Sequence, residues 1–172
     1  YERYWREFVA RRDGQRAWED YTPYELRNVG ALVRLGQRQR AWEALDFFFR
    51  DQRPAGWNQW AEVVDRQPRH VRYLGDMPHG WVASDYIRAA LDLFAYEDEE
   101  ALVLAAGVPV PWLLGPGIAV KNLATRWGPL NYTLGPGERN GKSGLVLSVT
   151  GLRPPPGGVR LPDRFQGSGR RT

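Results

Sequence analysis

The sequence predicts an α+β fold in sequence order, with helices first and antiparallel strands after. Three observations predict it. Apolar residues recur at helical spacing up to about Tyr96. From Ala101 onward they alternate with a period of two. The change falls at Glu97-Asp98-Glu99-Glu100, with little interleaving on either side. A doubly wound fold needs strands and helices to alternate, so the order argues against that class. The expected organisation is a helical-hairpin segment over residues 1–100, an antiparallel β module over 101–161 and a basic Gly/Arg tail over 162–172.

The helical half begins at once. Tyr1, Tyr4, Trp5, Phe8 and Val9 already share a helical stripe, so the chain is expected to be cut from a longer one. Thr22-Pro23-Tyr24-Glu25 predicts a helix start: Thr22 caps, Pro23 takes the first position and Glu25 completes a capping box. Leu26, Val29, Leu32 and Val33 form its apolar stripe, Gly30 permits close approach, and Gly36 ends it as a left-handed cap. A second helix is expected over about Arg38 to Asp51, burying Ala41, Trp42, Leu45, Phe48 and Phe49, with Phe47 beside them. So short a connection predicts an αα-hairpin. A third helix runs from about Trp81 to Tyr96. Ala83, Tyr86, Ile87, Ala90, Leu91 and Phe94 face inward; Asp85, Arg88 and Asp92 face out and pair at helical spacing.

In the second half, Ala101–Ala105 predicts a strand. Ile118 and Val120 alternate, as do Leu130, Tyr132 and Leu134, and then Leu145, Leu147 and Val149. Gly115-Pro116-Gly117 and Gly135-Pro136-Gly137 punctuate them. Pro154-Pro155-Pro156-Gly157-Gly158 is a break before a short strand at Val159–Leu161. Gly141-Lys142-Ser143-Gly144 mimics the end of a phosphate-binding loop. Pro136 stands where that loop needs its first Gly, and a strand follows instead of a helix, so a hairpin is expected.

Composition narrows the partners. The chain has no Cys, which excludes disulfides and thiolate metal sites. No apolar run approaches the roughly 18 residues of a membrane span, so no membrane partner is expected. The net charge is +4, and residues 153–172 hold five arginines against Asp163 alone. Residues 1–152 are therefore neutral. The basic excess belongs to the tail, and nucleic acid is not the expected partner.

The richest stretch for chemistry runs from Trp57 to Glu97. It holds Trp57, Trp60 and Trp81 beside Glu62, Asp76 and His79. Aromatic faces next to carboxylates suit a sugar-binding cleft. Glycoside hydrolysis needs carboxyl groups flanking the bond. Glu62 has two readings. It is a base in a cleft, or, if residues 57–65 form a regular helix with Trp57, Trp60, Ala61 and Val64 on one face, it points to solvent. Asp76 binds sugar hydroxyls or caps the turn before Pro78. His79 and Trp81 contact substrate, or serve as a structural His and a core Trp. His70, Asp76 and His79 match no metal-ligand spacing, so neither a metal nor a cofactor is expected.

Trp57–Val64, Gly75-Asp76-Met77-Pro78-His79-Gly80-Trp81, the helix to Tyr96-Glu97, and Leu102-Val103-Leu104-Ala105-Ala106-Gly107-Val108-Pro109 together resemble the C-terminal end of bacterial six-hairpin, (α/α)6-barrel glycosidase-like proteins, relatives of α-L-rhamnosidases among them. The resemblance spans about residues 20–160. It implies αα-hairpins from the end of an (α/α)6 barrel followed by an antiparallel β-sandwich, with Leu123–Tyr132 as its first strands. It also implies an inverting glycoside hydrolase in which Glu62 is the general base, and His79 and Trp81 close the cleft. The threonine pair that precedes the Glu in the rhamnosidase-like branch is replaced here by Pro54-Ala55-Gly56-Trp57. The general acid would lie upstream of Tyr1. The partners expected are a carbohydrate and the rest of the parent chain, in a secreted or periplasmic bacterial setting. Residues 1–172 alone are expected to be inactive. The alternative is a non-catalytic carbohydrate-binding or scaffold protein of the same fold.

Overall fold

The computed structural model describes residues 1–71 and 73–162. Residues 163–172, most of the expected tail, lie outside the described residues. The chain divides into two compact units, Tyr1–Ala90 and Leu91–Thr172. The class is mixed α+β, with five α-helices among the described residues and sheets that are mostly antiparallel. Among the described residues no helical barrel closes.

The first unit is organised by aromatic packing. Helix α1 (Glu2–Arg12) buries Phe8 completely. That ring meets Trp5 at 5.3 Å, Phe47 at 5.4 Å and Phe48 at 5.8 Å. Trp18 stacks on Phe47 at 5.1 Å. Tilted and edge-on arrangements of this kind align the positive edge of one ring with the negative face of another. Thr22 Oγ1 accepts from the Tyr24 amide at 3.4 Å and starts a 3-10 turn at Pro23–Leu26, which leads into α2 (Arg27–Arg34). The capping box does not close. Glu25 instead accepts two hydrogen bonds from Arg11, at 2.9 and 2.8 Å. A mostly buried carboxylate gains more from a two-pronged guanidinium than from one amide.

Helix α2 ends at Leu35-Gly36, with Gly36 at φ +71°. Helix α3 (Arg38–Arg50) follows and packs on α2. Ala41, Ala44, Leu45 and Phe48 are buried. Phe49, expected inside, is half exposed and stacks on Tyr86 at 5.6 Å. It lies one residue, or about 100°, around the helix from Phe48, which takes the central position.

Helix α4 (Gly80–Phe94) turns a different face inward from the one the periodicity suggested. Val82, Ala89 and Leu93 are buried, whereas Ile87 and Leu91 are 57% and 43% exposed. The helix carries two apolar stripes about one residue apart, and periodicity alone cannot choose between them. Asp85 also departs from expectation. It accepts from Arg27 Nε of α2 at 2.7 Å, a tertiary bond. Tyr96, expected in the helix, lies in the strand β3 (Ala95–Asp98).

The second unit holds two three-stranded sheets. In one, β3 pairs antiparallel with β4 (Ala101–Leu104), Ala95 opposite Leu104. The short strand β8 (Val159–Arg160) joins β4 in parallel, Leu102 opposite Val159, and this differs from an all-antiparallel module. The Pro-Gly break allows it: the Gly157 amide donates to the Glu100 carbonyl at 2.8 Å, which lays the returning chain alongside β4. The other sheet is antiparallel, β5 (Ile118–Thr125), β6 (Gly128–Arg139) and β7 (Lys142–Thr150) in that order. A short helix, α5 (Val110–Leu114), lies between β4 and β5 in sequence, in a half where only strands were expected.

The two sheets share one core. Leu102 and Leu104 come from one, Leu130, Tyr132 and Leu134 from the other, and Leu113 from α5. Ile118, Val120, Leu145, Leu147 and Val149 pack against it partly buried, as the alternation predicts. Gly135-Pro136-Gly137 does not punctuate; it lies inside β6. Beyond Leu134 no residue of β5 pairs with β6, so Pro136 sits where the strand has a neighbour on one side only. Gly135 is required there by contact, since a Cβ on it would lie 2.9 Å from the Gly117 Cα. The Gly-Lys-Ser-Gly run is a hairpin: Asn140 and Gly141 take φ of 53° and 72° between paired Arg139 and Lys142.

Candidate functional site

Residues 57–65 form no helix. The stretch is held extended by its neighbours. At its end β2 (Val64–Asp65) pairs with β1 (Asp20–Tyr21). On its other side it bonds residues 73–79. The Glu62 amide donates to the Asp76 carbonyl at 2.9 Å, the Asp65 amide to the Tyr73 carbonyl at 2.9 Å, and the His79 amide to the Trp60 carbonyl at 2.7 Å. This pairing brings Glu62 and Asp76, fourteen positions apart in sequence, onto adjacent backbone. Gly75 makes it possible. It takes φ +58°, and a Cβ there would meet the Val63 amide nitrogen at 3.0 Å.

The polar centre of this region is a chain of three side chains. His79 Nδ1 lies 2.9 Å from Asp76 Oδ2, and His79 Nε2 lies 2.7 Å from the Tyr24 hydroxyl. The His79 side chain is 12% exposed and that of Asp76 70%. An ionised carboxylate only accepts, so the Nδ1 of a neutral His79 carries the hydrogen and its Nε2 accepts the phenol proton. Both ring nitrogens are therefore engaged within the protein. Trp81 stands beside them, its ring edge-on to His79 at 5.9 Å and 73% exposed.

Charged groups surround Tyr24. Arg27 lies over its ring at 4.3 Å and is held by Asp85. Partial loss of solvent raises the Tyr24 phenol above its ordinary pKa; Arg27 opposes this, and the negative charges of Glu62 and Asp85 add to it. The phenol thus stays protonated, a hydrogen-bonding group and not a phenolate nucleophile.

The predicted residues separate into two groups. Asp76, His79 and Trp81 are linked to one another and to Tyr24, and Glu62 lies on the backbone paired with Asp76. Trp60 is 8% exposed and packs on Tyr86 at 4.8 Å, so it supports the loop from beneath. Trp57 is 63% exposed in the same loop. His70 is engaged elsewhere, with Nδ1 2.7 Å from the buried Asp65. Among the described residues no three His, Asp or Glu side chains are grouped to hold a metal.

Tyr24, Arg27 and Asp85 were not singled out by sequence. Tyr24 read as part of a helix start and Asp85 as a surface charge. Their contacts span 55 and 58 positions, for which a single sequence gives no signal. Compared with protein-family models, with curated proteins and with solved structures, the chain matches none.

Proposed function

We propose that the first unit carries one wall of a carbohydrate-binding cleft belonging to a glycoside hydrolase. The observation that carries this reading is an exposed indole, Trp81, standing against a hydrogen-bonded carboxylate, imidazole and phenol. A pyranose has apolar C–H faces and a rim of hydroxyls. It suits an aromatic face bordered by fixed polar groups. In this reading Trp81 and Trp57 receive the sugar faces, and Asp76 binds hydroxyls with its orientation fixed by His79. Glu62, on the backbone paired with Asp76, activates water as the base of an inverting hydrolysis.

Inversion needs a second carboxyl group as acid. The glycosidase resemblance assigns that group to another part of the parent protein, so residues 1–172 bind sugar without turning it over. The test is calorimetric titration of the chain with neutral methyl glycosides, followed by assay on aryl glycosides. Trp81→Ala is expected to weaken binding about tenfold or more. Equal affinity in Trp81→Ala, or no glycoside bound by the wild type, overturns the reading. Turnover that survives Glu62→Gln removes the base assignment. Binding that needs Trp81, in a parent protein indifferent to Glu62, favours a non-catalytic carbohydrate-binding protein.

A further inference from the structure

Tyr24 has no role in the mechanism above, yet it ends the hydrogen-bond chain from Asp76. A phenol has one hydrogen. Here it is committed to His79 Nε2 at 2.7 Å while the imidazole is neutral. The other imidazole nitrogen is committed to Asp76 at 2.9 Å. What remains of this chain for a ligand is the Tyr24 oxygen lone pairs at one end and the second Asp76 oxygen at the other, and both only accept.

We propose that Tyr24 is the specificity-determining residue of this site, offering the ligand a hydrogen-bond acceptor while His79 is neutral and a donor once His79 is protonated. The ligand class rests on the carbohydrate reading. An acceptor selects a sugar hydroxyl and rejects the carboxylate of a uronic acid. The surroundings act the same way. Glu62 from the 57–65 stretch, Asp76 from its partner loop and Asp85 from α4 are set against Arg27 of α2, which Asp85 already holds. Three carboxylates against one guanidinium disfavour an anion. Protonation of His79 reverses the inner bond. The Nε2–H then donates to the phenol oxygen, and the Tyr24 O–H is released to donate outward. The charge gained by His79 favours an anion with or without Tyr24; what runs through Tyr24 is the released O–H donor.

The experiment pairs each neutral methyl glycoside with its methyl uronide and measures binding by calorimetry at pH 8 and pH 5. The wild type is expected to prefer the neutral member by about tenfold or more at pH 8. That preference shrinks several-fold at pH 5. In Tyr24→Phe the pH dependence of the preference shrinks to the part due to the His79 charge. In His79→Gln it disappears while Tyr24 is still present, which separates titration from a loss of fold. Near-ultraviolet circular dichroism checks that both variants keep their aromatic packing. A preference that changes with pH equally in the wild type and in Tyr24→Phe overturns the assignment of Tyr24 alone. A wild type that binds no glycoside overturns the carbohydrate reading, and this ligand role with it.

Discussion

The two units of this chain are stabilised in different ways, and the candidate site belongs to one of them. Unit two has a core of aliphatic side chains shared by two regular sheets. Among its polar contacts, the buried Tyr132 hydroxyl donates to the Phe94 carbonyl at 2.7 Å. Unit one relies on clustered rings and on side chains tied by charge. Asp51, for example, accepts from Tyr21 at 2.5 Å and from Arg53 at 2.9 Å. Irregular loops such as 57–65 persist only when such bonds satisfy their backbone and fix their path. The difference teaches that a regular apolar scaffold leaves few polar groups in fixed positions, whereas a loop tied by side chains presents several at once.

The largest expected effects come from cutting each core separately. Phe8→Ala removes a fully buried ring from unit one and is expected to cost about 3–5 kcal/mol. Leu134→Ala in unit two is expected to cost about 2–5 kcal/mol. Urea unfolding followed by hydrogen exchange reads the two units separately. If the units are separate in stability, each variant lowers protection mainly in its own unit. Uniform loss across residues 1–162 in both variants would show one cooperative body.

A smaller effect, shared by the units, comes from alkali. Tyr21 in unit one and Tyr132 in unit two are both buried, and burial raises each phenol above its ordinary value of about 10. A raised folded-state pKa means that the folded chain holds the proton when the unfolded chain loses it. The contribution to stability is complete below about pH 10 and falls above it, by about 1.4 kcal/mol per pH unit for each group. Absorbance near the phenolate band should therefore show both tyrosines ionising only together with unfolding. Their ionisation in a chain whose circular dichroism is still native would contradict this.

The smallest effect sharpens which charges matter in unit one. Arg50 pairs with Asp46 one helical turn away at 2.8 Å, with its side chain 76% exposed. Arg50→Ala is expected to change stability by about 0.5 kcal/mol or less. A loss above about 1.5 kcal/mol by urea titration would place this exposed pair among the structural ties.

Much of the fold was legible because it repeats locally. The alternation of Leu130, Tyr132 and Leu134 placed them on the core face, and the spacing of Val29, Leu32 and Val33 did the same for α2. What misled was local ambiguity. On α4 the periodicity placed Leu91 inward where the fold buries Leu93, and Gly135-Pro136-Gly137 looked like a turn although its position at a half-paired end lets it lie in a strand. The candidate site was half legible. Asp76, His79 and Trp81 stand close in sequence and are joined by short-range geometry. Trp60 read as a cleft residue because an indole's side cannot be assigned until its loop is placed.

The sequence by itself determined that the longer helices precede the longer strands, the apolar faces of several of them and the neutrality of residues 1–152. Those follow from the period of side chains along a backbone and from composition. Only the tertiary structure decided that Glu62 lies beside Asp76 and that His79 is held between Asp76 and Tyr24. Such bonds depend on where separate segments of the chain meet, and the pattern within any one segment does not record its partner.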